Sequence, residues 1–265
     1  MEIQSFTADD LNQLPGLQPK DWPDITPAYR YYVDASYCFP VKVMMDQAMV
    51  GIGTTIVHHD VAWLAHIIVR EDLRRQGIGQ FITQSLVDSL TTTPCDTIYL
   101  LATDLGMPVY LKLGFEKETE YLFFNGTKTD AGVSIPQVIP YRAEFHDQVA
   151  DLDAAASGED RMFHLEEFLH DALVYHDGTD VLGFYLPPFG DGLIVASTVD
   201  AGVALLQHHL AVRDRVSFPV ENSAAIKFLQ DKGWSEIRTA VRMRLGKARA
   251  MNLANIFNRI GGNLG

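Results

Sequence analysis

The sequence predicts a mixed α/β fold, and three observations support that prediction. Apolar stretches rich in Val, Ile and Thr, which are typical of strands, alternate with stretches whose apolar residues recur at helical spacing. Hydrophobic residues make up 47% of the 265-residue chain, enough to fill the core of one large domain or two ordinary ones. A spacing of residues in the first half of the chain also returns in the second half, which indicates an internal duplication.

The first half of the chain can be divided into predicted elements. Thr7 is suited to cap a short helix over residues 7–14, because acidic residues follow it in the first turn. The elements that follow, in order, are a helix over 26–36, strands over 40–45, 49–58 and 61–69, a helix over 80–90, a strand over 97–102, a helix over 106–113 and a strand over 115–124. Strands with interspersed helices in this order imply a mixed sheet.

The most informative stretch follows the strand that ends at Val69. Two arginines, Arg74 and Arg75, and two glycines, Gly77 and Gly79, open the next helical pattern. Backbone N–H groups at a helix N-terminus are unpaired and favour an anion, and glycine lets a ligand approach the main chain closely. The stretch therefore predicts a phosphate-binding loop. It is neither a dinucleotide fingerprint nor a P-loop, because the third glycine of the first and the Lys-Ser or Lys-Thr pair of the second are absent.

The spacing Arg74-x-x-Gly77-x-Gly79 after a strand resembles the acetyl-CoA-binding motif of the GNAT superfamily of N-acetyltransferases. A second motif follows the next strand and reads Thr103-x-x-Gly106-x-x-x-Tyr110-x-x-x-Gly114-Phe115. It is similar to the pattern Asn-x-x-Ala-x-x-x-Tyr-x-x-x-Gly-Phe that GNAT proteins carry at this distance. Thr103 stands in place of the usual Asn, and its hydroxyl can still hydrogen-bond a pantetheine arm. The resemblance covers residues 1–125 in detail.

The resemblance implies that the acetyl group of acetyl-CoA, a co-substrate, passes to an amine by direct attack. It places the pyrophosphate on the N–H groups from Arg75 to Gln80. It places the pantetheine along the strand edge at Ile67 to Val69, where a backbone N–H near Ile67 or Ile68 supports the developing negative charge. The coenzyme-binding residues are then Ile67, Ile68, Val69, Arg74, Arg75, Gln76, Gly77, Ile78, Gly79, Gln80 and Thr103.

Two proton transfers complete the implied chemistry. Tyr110 can protonate the departing thiolate, since a phenol has a pKa of about 10 and a thiol one of about 8.5; the alternative is an aromatic ring packed on the sheet. The strand over 61–69 carries no carboxylate that could accept a proton from the amine. His66 is the candidate base, because its ordinary pKa lies near neutrality. A histidine satisfied within the fold, or His59 or Asp60 acting through water, are open alternatives.

The second half of the chain repeats the second motif with the same offsets. The repeat reads Asn222-x-x-Ala225-x-x-x-Leu229-x-x-x-Gly233-Trp234, and a strand, a helix and another strand are predicted before it at 193–197, 201–210 and 216–220. The arginine and glycine loop has no counterpart at residues 197–202, and Leu229 replaces the tyrosine. We therefore predict that this half binds no coenzyme.

These observations predict two GNAT-like units in tandem: an N-terminal domain over 1–130, a divergent C-terminal domain over 140–246 and a tail over 247–265. Residues 126–140 are predicted to form the linker, because they contain Gly, Ser, Thr and two prolines. Between the halves, Asp153 and Arg161 resemble part of a segment of two-domain GNAT proteins. Either they contact substrate, or they form a helix cap and a surface ion pair.

Composition excludes several classes of function. The net charge of −13 argues against wide surfaces for nucleic acid or anionic membrane, and it is compatible with a cationic amine. No apolar run reaches the ~18 residues of a membrane helix, and the first residues lack the basic and apolar regions of a secretion signal. Only Cys38 and Cys95 occur, so a cytoplasmic protein is expected. The histidine spacings predict no metal site. A homodimer is among the open oligomeric states. A non-catalytic acetyl-CoA-binding regulator is the alternative to an enzyme.

Overall fold

The computed structural model describes residues 1–20, 22–128 and 135–265. The chain divides into two compact units, each assembled from separate segments. Unit 1 contains Met1–Glu118, Arg242–Ala248 and Gly262–Leu264, and unit 2 contains Thr119–Val241, Arg249–Gly261 and Gly265.

Unit 1 contains most of the elements predicted for the first half of the chain. Its helices and strands are β1 (Glu2–Ser5), α1 (Thr26–Asp34), β2 (Cys38–Met45), β3 (Ala48–His58), β4 (Val61–Val69), α2 (Ile78–Ser89), β5 (Thr97–Ala102) and α3 (Met107–Lys112), with the first residues of β6 (Glu116–Asn125) and the last of β12 (Ser235–Gly246). A 3₁₀ helix over Ala8–Gly16 follows Thr7, which occupies the predicted cap position and forms a capping box with Asp10.

The sheet of unit 1 is mixed. Its strands follow the order β1-β2-β3-β4-β5, with antiparallel pairing throughout except for the parallel pair β4 and β5. The predicted mixed α/β fold is thereby confirmed. Helix α2 packs closely on β3, where a Cβ at Gly51 or Gly53 would come within 2.8 Å of the Ile82 side chain. This close packing fixes the position of α2 relative to β4, the next strand of the sheet.

Unit 2 holds the remaining elements. These are the rest of β6 and of β12, together with β7 (Val138–Pro140), α4 (His146–Ser157), α5 (Met162–Leu165), β8 (Leu173–His176), β9 (Val181–Leu186), β10 (Leu193–Ala196), α6 (Val199–Val212), β11 (Arg215–Pro219), α7 (Ser223–Asp231) and β13 (Ile256–Asn258). Among the described residues, five strands form an antiparallel sheet in the order β13-β10-β9-β8-β7, and β11 pairs with β6.

Two details of unit 2 differ from the sequence expectations. The last residues of the predicted linker form β7, because Val138 pairs with Tyr175 of β8; residues 129–134 of that linker lie outside the described residues. The expected surface ion pair is instead buried: Arg161 donates from Nε to Asp153 at 2.8 Å, and both side chains are 1% exposed. A pair buried to this degree is part of the core of unit 2.

Candidate functional site

The parallel strands β4 and β5 separate along their length. They pair only from Val61 with Thr97 to Trp63 with Tyr99, although β4 continues to Val69. Beyond these pairs, no ladder joins the two strands in the part of the chain that the structure describes. The separation leaves an open strand edge on β4, whose backbone N–H and C=O groups can pair with a ligand.

A β-bulge lies in the separated part of β4. One residue of β3, Gly53, stands opposite two residues of β4, His66 and Ile67. His66 takes a φ of 47°, a left-handed conformation that few residues other than glycine adopt. Bulges of this kind redirect the backbone and often border active sites. The bulge falls at the residues that the sequence assigns to the pantetheine and the oxyanion donor.

Helix α2 begins at a loop of exposed backbone. Gly77, the residue before the helix, has a φ of 85°, and Arg75 has a φ of 63°. The helix has no side-chain cap. Within the described ranges, no backbone or side-chain oxygen accepts from the N–H groups of the first residues of the helix and its entry, which are Gln76, Gly77, Ile78, Gly79 and Gln80. Free N–H groups at the positive end of a helix form an anion-binding site.

The two arginines of this loop differ in their surroundings. Arg74 donates from Nε to the carbonyl oxygen of Val69 at 3.3 Å, so it ties the loop to the end of β4. Arg75 is exposed. Arg75 makes no such contact with Val69, so its guanidinium can form charge-assisted hydrogen bonds with an anion at the helix start.

Tyr110 lies on α3 and is 9% exposed. Burial raises the pKa of its phenol to about 12. Its ring packs 6.0 Å from that of Phe115, measured between centroids, and close against Gly106, where a Cβ would lie 3.1 Å from the hydroxyl oxygen. The space left by Gly106, where the related motif has Ala, is therefore used by the tyrosine. Thr103 is exposed at the start of this turn, and its hydroxyl accepts from the N–H of Gly106 at 3.3 Å.

His66 is enclosed by aromatic side chains of unit 1. The rings of Trp22, Tyr29 and Tyr32 lie 6.3, 5.9 and 5.6 Å from the imidazole centroid. Burial lowers the pKa of His66 to about 4, so the imidazole is neutral at pH 7. This value argues against the base role expected from the sequence, because so acidic a conjugate acid binds a proton weakly.

A chain of hydrogen bonds reaches Nδ1 of His66. The side-chain amide of Asn263 donates to the Tyr32 hydroxyl at 2.6 Å, and that hydroxyl lies 2.9 Å from Nδ1 of His66. With the hydroxyl accepting from this amide, we assign its own proton to Nδ1, which places the imidazole hydrogen on Nε2. Asn263 belongs to a part of the chain that sequence reasoning left without a role.

A mixed sheet whose parallel strands part beside an uncapped helix start is the architecture that the sequence resemblance predicts for acyl-CoA N-acyltransferases. The comparison with known families agrees. Residues 6–115 match the sequence model of the Acetyltransferase (GNAT) family.

Individual relatives match different shares of the chain. The ribosomal protein bS18 alanine N-acetyltransferase of Salmonella typhimurium is 30% identical over 82 residues, which are 30% of this chain and 55% of the relative. The chain therefore spans about half the length of that curated relative. A Pyrococcus horikoshii protein, named as a candidate acetyltransferase, matches 100% of this chain and 95% of its own, with a TM-score of 0.82 and 20% identity.

A GCN5-related N-acetyltransferase from Anabaena variabilis matches 92% of this chain and 72% of its own, with a TM-score of 0.56 and 11% identity. At such identities the structural likenesses establish the fold. Among the described residues, no helix is long and apolar enough to cross a membrane, and no group of three or more His, Cys, Asp or Glu side chains could hold a metal ion.

Proposed function

We propose that this protein is an acetyl-CoA-dependent N-acetyltransferase acting on an amine of a small molecule, a peptide or a protein. One observation carries the proposal: unit 1 combines an open edge on β4 with a start of α2 whose N–H groups have no acceptor among the described residues. The edge offers ladder hydrogen bonds to an extended chain of amides, and the helix start offers an anion site. Coenzyme A joins such an amide chain to a diphosphate.

Each part of the site has a role in this proposal. The bulged strand edge from Ile67 to Val69 binds the pantetheine amides through its backbone, and Thr103 adds its hydroxyl. The N–H groups from Arg75 to Gln80 bind the diphosphate, with Arg74 anchoring the loop to the strand. The coenzyme site then consists of Ile67, Ile68, Val69, Arg74, Arg75, Gln76, Gly77, Ile78, Gly79, Gln80 and Thr103.

Tyr110 supplies the proton that the departing sulfur needs when the new C–N bond replaces the C–S bond. Its pKa of about 12 keeps the phenol protonated at neutral pH. A backbone N–H at the bulge, from Ile67 or Ile68, stabilises the negative charge on the carbonyl oxygen; such a donor contributes on the order of 10²–10³ in rate.

His66 serves the acceptor side of the reaction. With its hydrogen on Nε2 and a pKa of about 4, it donates a hydrogen bond better than it accepts a proton. We therefore assign the loss of the amine proton to water, and we assign to His66 the orientation of the acceptor. Tyr32 and Asn263 hold the imidazole in place through the hydrogen-bond chain.

The acceptor is proposed by chemistry. The Salmonella relative is named for an alanine of a ribosomal protein, so the amino group of a peptide is one candidate class. The net charge of −13 favours a cationic amine over an anionic one. Small-molecule amines and peptide amines are thus the two classes to test.

We also propose that the chain is a tandem of two GNAT-like units, with domains over 1–130 and 140–246 and a C-terminal segment over 247–265. The support is the order of elements, since β10, α6, β11, α7 and β12 repeat the sequence of β4, α2, β5, α3 and β6. Asn222 begins α7 and caps it by accepting from the N–H of Ala225 at 2.9 Å, at the motif position that Thr103 occupies before α3.

Turnover with a panel of amines tests the activity. The protein is incubated with acetyl-CoA and with alkyl amines, aminoglycosides or peptides with a free N-terminal alanine, and free thiol is measured. We expect thiol release that depends on both substrates and, at acetyl-CoA concentrations near the wild-type Kd, is strongly reduced in Gly77→Asp. Calorimetry with coenzyme A gives binding separately. A chain that binds no coenzyme A refutes the proposal.

A coenzyme-binding regulator is the second candidate, and the missing strand carboxylate together with the low pKa of His66 favours it. Tight coenzyme binding without thiol release for any amine of the panel would support this reading against the enzyme.

A further inference from the structure

Strand β13, from the C-terminal part of the chain, lies between β10 and β11 of unit 2. It pairs antiparallel with β10, matching Asn258 with Ile194. On its other side, the N–H of Arg259 donates to the carbonyl oxygen of Ser217 on β11 at 2.9 Å. The segment is therefore joined to β10 by a strand ladder and to β11 by a backbone hydrogen bond from the residue after β13.

The place that β13 takes in unit 2 corresponds to the open gap in unit 1. β10 and β11 have the same positions in the order of elements as β4 and β5. Asn222, at the motif position of Thr103, donates from Nδ2 to the carbonyl oxygen of Ile256 at 3.0 Å. The hydrogen bond that the motif provides to a pantetheine arm is here made to the protein's own backbone. This comparison with unit 1 rests on the proposed function, whereas the contacts within unit 2 stand alone.

Phe257 fills the space at the first turn of α6. Its side chain is 2% exposed, and a Cβ at Gly202 would overlap its ring. Only a glycine fits at this point of the helix. What remains open is a cleft of about 140 Å³, lined by residues that include Thr198, Asn222 and Phe257. Sites for small molecules and cofactors have volumes of roughly 300–1,000 Å³, so the cleft is too small for coenzyme A.

The contacts of the Asn258 side chain make this position of the strand specific for asparagine. It is fully buried, and its Nδ2 donates to the carbonyl oxygens of Asp191 at 2.9 Å and Gly192 at 2.7 Å. Its Oδ1 accepts from the N–H of Ser217 at 2.9 Å. An apolar side chain at position 258 would make none of these three hydrogen bonds. Their backbone partners would then be buried without a hydrogen bond, which is costly. Arg259 adds an ion pair from Nε to Asp191 at 3.0 Å.

We propose that unit 2 carries a binding site for an extended polypeptide strand in which asparagine follows phenylalanine, and that residues 255–259 of this same chain are its ligand. The slot that unit 1 offers to a coenzyme has in unit 2 become a peptide slot. Its determinants are the backbone edges of β10 and β11, the glycine at position 202 and the side chain of Asn222.

The test uses the full-length variant Phe257→Asp, in which a buried charge releases the segment from the slot. A fluorescent peptide of residues 252–261 is added, and binding is followed by anisotropy. We expect saturable binding to Phe257→Asp and none to the wild-type chain or to Phe39→Asp, which makes the same change at a 53% exposed position. A peptide carrying Asn258→Ala should bind at least about tenfold more weakly.

Coenzyme A distinguishes this proposal from a masked coenzyme site. We expect one coenzyme A per chain in both wild type and Phe257→Asp, and no displacement of the peptide by excess coenzyme A. A second coenzyme A in folded Phe257→Asp, or the absence of peptide binding to it, overturns the proposal. If instead the proposed function is wrong, the wild-type chain binds no coenzyme A. The anisotropy results with the peptide would then stay as expected.

Hydrogen exchange of the wild-type chain provides a second test, which does not require Phe257→Asp to fold. The amides of residues 256–259 should exchange far more slowly than in the free peptide, and excess coenzyme A should leave their rates unchanged. Exchange at the rate of the free peptide, or acceleration by coenzyme A, contradicts the proposal.

Discussion

Gly77→Asp is the sharpest perturbation of the proposed coenzyme site. Gly77 is exposed, and a Cβ at this position would meet nothing within 4 Å, so the substitution creates no clash. Its φ of 85° imposes a conformational cost on any other residue, of roughly 1–2 kcal/mol. The new carboxylate stands beside the free N–H groups of α2 and competes with a phosphate for them.

The magnitude follows from the charge. At about 6 Å and an effective dielectric constant near 20, each pair of like unit charges costs about 3 kcal/mol. A rise of roughly 10²-fold in the Kd for coenzyme A is therefore expected. Part of that rise should disappear at 1 M salt, because screening shortens the range of the repulsion to about 3 Å.

The assay is isothermal calorimetry with coenzyme A, with a thermal melt of each variant to establish folding. Gly77→Asn is the matched control, since it has the same size and tolerates the left-handed conformation but carries no charge. We expect Gly77→Asn to bind within about fivefold of wild type and Gly77→Asp to bind far more weakly. Equal Kd values for Gly77→Asp and wild type would refute the placement of the diphosphate at this helix start.

Three further predictions follow from buried groups. Tyr110→Phe should lower kcat by about 10²-fold, the contribution of a general acid, and leave the Kd for coenzyme A unchanged; full turnover would return Tyr110 to packing alone. Because burial depresses the pKa of His66 to about 4, its stabilising contribution is complete above pH 6.5 and is lost as pH falls toward 4. The melting temperatures of wild type and His66→Asn should therefore converge as the pH falls from 6.5 to 4. A difference in melting temperature that stays constant over this range would contradict the burial of His66. Gly202→Ala should lower stability by about 1–3 kcal/mol through overlap with Phe257, whereas Gly16→Ala, with open space around it, should not.

The uncapped start of α2, which we propose as the phosphate site, could be predicted because the residues that shape it are local in sequence. A strand end, two arginines and two glycines occupy a short stretch, and a left-handed Gly77 is what such a helix entry requires. The secondary structure of unit 1 was predictable for the same reason, since β4 and α2 are long enough to show their periods. The roles of the individual residues in this loop remain predictions.

The state of His66 could not be predicted, because it depends on residues far apart in the chain. Trp22, Tyr32 and Asn263 converge on the imidazole from three separate segments of unit 1. The ordinary pKa of histidine suggests a base, while enclosure by aromatic rings removes water and lowers that pKa. The buried pair of Asp153 and Arg161 eluded sequence reasoning in the same way, since charge spacing does not reveal depth.

Strand β13 could not be predicted from the sequence either. The strand, Ile256–Asn258, is too short to show an alternation of apolar and polar residues, and its partner β10 lies far earlier in the chain. The signal that the sequence offers is Gly202 in a helix otherwise rich in apolar residues. A glycine inside a helix costs about 1 kcal/mol relative to alanine, so it usually marks a close approach by another group. Here that group is the ring of Phe257.

The two units present the same structural problem with opposite solutions. When neighbouring strands part, the backbone groups along the gap need partners, or stability is lost. In unit 2 the chain supplies partners itself through β13, which pairs with β10 and accepts a hydrogen bond from Asn222. In unit 1, under the proposed function, the partners arrive with the coenzyme, and the gap is completed only in the complex. Coenzyme A at a hundred times its Kd should then add about 2.7 kcal/mol of stability. Slower amide exchange should be confined to β4, β5 and the start of α2, with residues 256–259 unchanged.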